Sequence, residues 1–177
     1  LSDLVIINNS SNPVTVNSAI VNNNGTTGTS PLVLSGSGKV ILAGNNTHTG
    51  NITINRGTLE VATVNNAAAA GPLGQSTAGV TNIVLNGGTF RANLGANGST
   101  DHGFTVNAPS TIEVVANTLT LNTTLIGVAG ELYQLVALNA GILKKTGVGT
   151  LELKDLTVNA NNANLSIEVA EGTLLLN

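Results

Sequence analysis

The stretch Gly38-Lys39-Val40-Ile41-Leu42-Ala43-Gly44-Asn45-Asn46-Thr47-His48-Thr49-Gly50-Asn51-Ile52-Thr53-Ile54-Asn55-Arg56-Gly57-Thr58-Leu59-Glu60-Val61 decides how the chain is built. It holds three short apolar runs, at 40–42, 52–54 and 59–61, parted by glycines and small polar residues. A period of two in each run argues strands with one buried face, and the Gly and Asn between them argue tight corners.

The signature Gly-x-(apolar)-x-(apolar) recurs outward from this stretch. Gly38-Lys39-Val40-Ile41-Leu42, Gly57-Thr58-Leu59-Glu60-Val61, Gly149-Thr150-Leu151-Glu152-Leu153 and Gly172-Thr173-Leu174-Leu175-Leu176 carry it, with a looser copy at Gly88-Thr89-Phe90-Arg91-Ala92. Gly38 and Gly57 are 19 apart (57 − 38), and Gly149 and Gly172 are 23 apart (172 − 149), within the band of solenoid repeats. Short strands joined by glycine corners can wind so that equivalent strands stack in parallel, each rung pairing its backbone with the next. Inward apolar residues then form columns, and corner Asn or Thr can hydrogen-bond along the axis. At roughly 20–25 residues per rung the chain makes about seven to nine turns. A hairpin-built sandwich is the rival, since Asn-Gly pairs occur at Asn24-Gly25, Asn86-Gly87 and Asn97-Gly98.

Composition favours the narrower interior. Hydrophobic residues make up 41% and charged residues 8% of 177, and Phe90, Phe104 and Tyr133 are the only aromatics. Branched aliphatics must therefore fill the core. A net charge of −3 and six scattered basic residues argue against nucleic acid as a partner. With no cysteine there is no disulfide, thiolate nucleophile or Cys-based metal site. The Asn- and Thr-rich, charge-poor texture points outside the cell. No run approaches a transmembrane helix, and a lipid-facing barrel would want aromatic girdles. The chain opens at Leu1 with no leader, so it reads as a piece of something longer.

Further strands are expected at 4–7, from 14–16 toward Ile20-Val21, and at 32–34, 83–92, 104–106, 111–115, 118–121, 133–138, 142–143, 156–158 and 165–169. Residues 22–31 and 93–103 read as surface loops. Asn65 to Gly74 reads as a helical turn, capped by Asn65 or Asn66 and stopped at Gly71-Pro72.

These residues resemble the autotransporter-associated β-strand repeat. Lys145-Thr146-Gly147-Val148-Gly149-Thr150-Leu151-Glu152-Leu153 is similar to its "K-x-G-x-G-T-L-x-L" motif. Residues 38–61 resemble the repeat nearly end to end, and Pro72-Leu73-Gly74 followed by 83–92 resembles its continuation. Asn159 to Asn164 depart from the pattern, and His48 and Phe90 replace the more usual Tyr and Leu. The resemblance implies a right-handed parallel β-helix, with residues 1–177 as a single segment of a longer passenger. It implies a non-enzymatic stalk of an adhesin-type passenger on a Gram-negative cell surface, tied to the outer membrane only through a separate barrel.

The reactive residues are sparse. His48 and His102, the latter beside Asp101, read as solvent-exposed loop histidines, because three converging metal ligands are lacking. Asp3, Asp101 and Asp155 stand alone, which leaves no calcium loop. Ser37 and Ser76 lie near glycines without a G-x-S-x-G elbow, so a triad with either histidine would have to assemble across rungs. Glu60 and Glu152 occupy matching signature positions and should both point outward. An outward pair in a groove would be the mark of a carbohydrate-active β-helix, whereas solvated charge is the plainer reading, shared with Glu113, Glu168 and Glu171. The Thr47/Thr49 and Thr118/Thr120 pairs are too few for an ice-binding row. No catalytic, cofactor-binding or metal residue is therefore assigned. Expected partners are a host or neighbouring cell surface touched through the loops, or a second copy stacked end to end into filaments across the apolar strands at 4–7 and 173–176.

Overall fold

The structure, a computed structural model, describes residues 3–23, 28–79, 81–122, 135–137, 141–154 and 165–177. The described strands, in chain order, begin with β1 (Leu4–Ile7), β2 (Val14–Val16), β3 (Leu32–Ser35), β4 (Lys39–Leu42), β5 (Ile52–Ile54) and β6 (Thr58–Val61). They continue with β7 (Ile83–Asn86), β8 (Thr89–Ala92), β9 (Gly98–Thr100), β10 (Phe104–Ala108), β11 (Ser110–Val114) and β12 (Thr118–Asn122). The last are β13 (Leu135–Ala137), β14 (Gly141–Thr146), β15 (Thr150–Lys154), β16 (Leu165–Val169) and β17 (Thr173–Leu176).

These strands wind into three parallel ladders. The first sheet runs β1-β3-β5-β7-β10-β13, the second β2-β4-β6-β8-β11-β14-β16, and the third β9-β12-β15-β17. Every strand pair described is parallel, which removes the hairpin sandwich; an antiparallel bridge joins Asn46 to Gly71 outside the strands. The fold is a parallel β-solenoid. Among the described residues the longest ladder has seven strands.

Alternation along each strand builds the interior. Leu32, Ile52, Ile83 and Phe104 stack in one inward column of the first sheet, and Leu34, Ile54, Leu85 and Val106 in the next. In the second sheet Val40, Leu59, Phe90 and Ile112 share a column, all buried. In the third sheet Leu119 and Leu151 stack beside Leu121 and Leu153. The branched columns expected from composition are present, with one ring pair at their centre. Phe90 and Phe104 meet edge to face, centroids 5.1 Å apart at 81°.

Corner hydrogen bonds run along the axis, as expected of Asn and Thr. Asn86 Nδ2 donates to Asn55 Oδ1 at 2.9 Å, Asn22 Oδ1 accepts from Thr49 N at 2.9 Å, and Asn97 Oδ1 accepts from Thr118 N at 3.0 Å.

Three expectations are corrected. Residues 65–74 form hydrogen-bonded turns and no helical turn: Ala68 takes a left-handed φ of 62° and its N–H goes to Ser76 O instead. The loop at 93–103 contains β9, whose residues pair with Leu119, Thr120 and Leu121. The strand at 14–16 ends at Val16 rather than reaching Val21. The signature copies enter two different sheets. Those at Gly38, Gly57 and Gly88 lead into the second sheet, and those at Gly149 and Gly172 into the third. Residues 24–27 of the first loop, the expected strand at 156–158 and the departing stretch 159–164 lie outside the described residues.

Candidate functional site

The polar residues that matter lie on the third side of the early rungs, where no third-sheet strand is described before β9. That side is closed by an excursion, residues 62–79, between β6 and β7. Its lower part lies on the preceding rung. Asn46 and Gly71 exchange backbone hydrogen bonds at 3.1 Å, Asn46 Nδ2 donates to Pro72 O at 3.0 Å, and Gln75 N donates to His48 O at 2.8 Å. Its upper part meets the following rung. Thr100 Oγ1 donates to Asn65 O at 2.7 Å, and Ala67 N donates to the Asp101 carboxylate.

Asn65 is the hub of the excursion. Its Nδ2 reaches Ala69 O and Gly74 O, both at 2.8 Å, and Asn66 O at 3.1 Å, while its Oδ1 accepts from Leu73 N at 2.9 Å. Asn65→Ala strands Gly74 O and Leu73 N, the two part-buried partners, and an unpaired buried partner costs about 1–3 kcal/mol. The expected loss is about 2 kcal/mol of unfolding free energy in urea titration; an unchanged midpoint would contradict the hub.

Both histidines are fully buried here, against the expectation of exposed loop residues. The flanking Asn, Thr and Gly read as surface, but the excursion covers them. His102 sits between Asn65 and Ser76, with Nε2 3.3 Å from Asn65 Nδ2 and Nδ1 3.4 Å from Ser76 Oγ. Burial pushes the His102 pKa down to about 4, helped by His48 and opposed by the Asp101 charge. Burial also lowers the His48 pKa. Neither His48 ring nitrogen has a hydrogen-bond partner among the described residues, and the ring lies against Gly74, where a Cβ would come within 2.7 Å of Cε1.

Ser76, His102 and Asp101 do come together across rungs, yet the geometry is not that of a nucleophile. Ser76 is buried and its Oγ also accepts from Asn82 Nδ2 at 2.9 Å. The Asp101 carboxylate is committed to Ala67 N rather than orienting the imidazole. A working triad needs the base oriented by its acid and the nucleophile open to substrate. Among the described residues no group of three or more His, Asp or Glu is placed to hold a metal.

The glutamates part company. Glu60 lies on the outer face of the second sheet and Glu152 on the third, so they form no pair. Glu60 does face outward but is nearly covered, in a ladder of charge that runs Lys39, Glu60, Arg91, Glu113. Lys39 Nζ and Arg91 Nε each stand 2.9 Å from Glu60 Oε2, and Arg91 Nη1 pairs with Glu113. Burial opposes the charged Glu60, but hydrogen bonds from Lys39 and Asn93 and the charges of Lys39 and Arg91 hold its pKa below the ordinary value. Glu152 is also held low, by hydrogen bonds from Thr120 and Asn177. These are cross-strand contacts, paired charge at Glu60 and neutral hydrogen bonds at Glu152, the mark of a sheet surface.

One residue escaped the sequence reading. Lys145 aligns with Ile112 and Val169, so it points inward, and it is fully buried. Its Nζ donates to Thr146 O at 2.7 Å, Gly147 O at 2.6 Å and Glu171 O at 3.1 Å. Burial lowers its pKa, opposed by Glu171 and Glu113. The ammonium thus closes an apolar column by tying the corner after β14 to the corner before β17. Only its place in the chain, shortly ahead of the signature glycine Gly149, could have signalled it.

Shallow hollows of about 360 Å³ (Ala62, Val64, Leu94, Gly95 and Asn97 among its walls) and about 420 Å³ (Leu4, Ile20, Val21, Asn22 and Ser30) mark the surface near the two expected loops.

Parallel ladders around a largely aliphatic core, with His48, His102 and Lys145 buried, define a parallel β-solenoid. Residues 32–61, from β3 through β6, match the model of the passenger-associated-transport-repeat. The chain thus carries an autotransporter passenger repeat. It is 41% identical over 92 residues to a protein described as adhesin BmaC autotransporter, from Brucella suis biovar 1 (strain 1330). That alignment covers 52% of this chain and 3% of the relative. No solved structure matches the chain.

Proposed function

We propose that the chain is a rod-forming, non-enzymatic segment of a longer adhesin-type passenger on a bacterial cell surface, where it spaces or displays recognition elements. The observation that carries this is the unbroken parallel ladder through the matched repeat, with an interior filled by aliphatic columns. Each rung adds about 4.8 Å along the axis, so whole rungs can be added or removed without disturbing their neighbours' pairing. The adhesin relative supports the surface location. The test removes one rung, residues 39–57, from the passenger displayed on cells. Adhesion is expected to persist with reach shortened by one rung, whereas complete loss with the passenger still folded and displayed would assign recognition to the rung itself.

A further inference from the structure

We propose that the excursion 62–79 is an acid-released flap, undocked when the buried imidazole of His102 takes up a proton while the parallel ladders stay paired. The partners of the ring fix its neutral form. Asn65 Nδ2 has no lone pair to accept a proton donor, and its two hydrogens go to Ala69 O and Gly74 O, so Nε2 faces it unprotonated and the ring proton sits on Nδ1, toward Ser76 Oγ. A proton on Nε2 would set donor against donor. Asn65 cannot answer by exchanging its amide atoms, because its Oδ1 holds Leu73 N and its Nδ2 holds two carbonyls of the same turn.

Among the described residues around the ring, Asp101 supplies the charge that opposes, without overcoming, the cost of burying an imidazolium. The excursion 62–79 has no ionisable residue, and neither does the preceding turn at 17–23. The corner below carries only His48, itself buried and able to gain a proton. The corner above carries Asp101, whose carboxylate is turned to Ala67 N, a contact that the released flap would break.

Release is local because the ladders bypass the flap. Ile52 pairs with Ile83, Ile83 with Phe104, and Leu59 with Phe90, none through residues 62–79. Opening would bare Leu73, now buried, beside the Asn46 and His48 corner.

The sign follows from proton linkage. In the open flap His102 titrates near 6.5 and in the closed flap near 4, so the closed form is fully favoured above pH 6.5 and loses ground as pH falls toward 4. For this one group the loss is about thirtyfold at pH 5.

Hydrogen exchange of the whole chain at pH 7.4 and pH 5, corrected for intrinsic rates, tests this. Protection of amides in 65–76 is expected to fall by about thirtyfold while that of β5, β7 and β10 holds. Uniform loss across the ladders, or unchanged protection in 65–76, would overturn the proposal. In a His48→Gln/His102→Gln chain the pH dependence of 65–76 should vanish, and its persistence there would also overturn it. Ring NMR of the unaltered chain gives a readout that needs no variant: His102 titrating near 6.5 with the flap still protected would defeat the idea.

Discussion

Gly57→Ala is expected to destabilise the solenoid by at least about 3 kcal/mol, read as a lowered midpoint in chemical denaturation. Gly57 has φ of +70°, which disfavours an L side chain by about 1–2 kcal/mol. A Cβ there would also lie 2.4 Å from Gly38 O and 2.7 Å from Gly36 O, both backbone atoms of the preceding rung. Those carbonyls cannot yield without breaking the ladder, since Gly38 O already accepts from Thr58 N at 3.1 Å. The two contributions can be separated. Asn tolerates a left-handed φ, so Gly57→Asn should recover less than about 1 kcal/mol if the overlap dominates. Gly87 supplies the contrast: its φ is +103°, but its Cβ would stand 3.1 Å from the nearest atom, Asn55 O. Gly87→Ala is expected to be milder than Gly57→Ala, and the reverse order would refute the stacking argument.

The same corner shows why the fold was legible in the sequence. Residues 38–61 pass once around the axis, from β4 across the third side to β5 and back to β6. Alternation marked which residues face inward, and the glycines marked where rungs must touch. The sheet that each copy enters was not legible. Gly57 and Gly149 open the same local signature, and only the stacking of whole rungs decides which ladder follows. The excursion was misread for a related reason. Helix propensity of four alanines is worth tenths of a kcal/mol per residue, less than the hydrogen bonds gathered by Asn65. The candidate site was least legible, because burial of His48 and His102 depends on a segment that folds over them and leaves no trace in their own flanks.

Phe90→Ala is expected to lower stability by about 3–5 kcal/mol, the range for emptying a buried aromatic site. The narrow interior makes collapse difficult. Above and below Phe90 in its column stand Leu59 and Ile112, each held at a fixed ladder spacing by its own strand. Across the interior the Phe104 ring meets it edge to face with centroids 5.1 Å apart, and it is held in turn by register with Ile83. A globular core could shift a helix to fill the gap, but here the walls are hydrogen-bonded ladders, so the cavity persists. Phe90→Leu keeps most of the volume and should lose less than about 1.5 kcal/mol. In a double-mutant cycle Phe90→Leu with Phe104→Leu should show coupling of about 0.5–1.5 kcal/mol from the ring pair. Strict additivity would mean that the two rings contribute only as separate apolar volume, and that their contact is incidental to the stability of the interior.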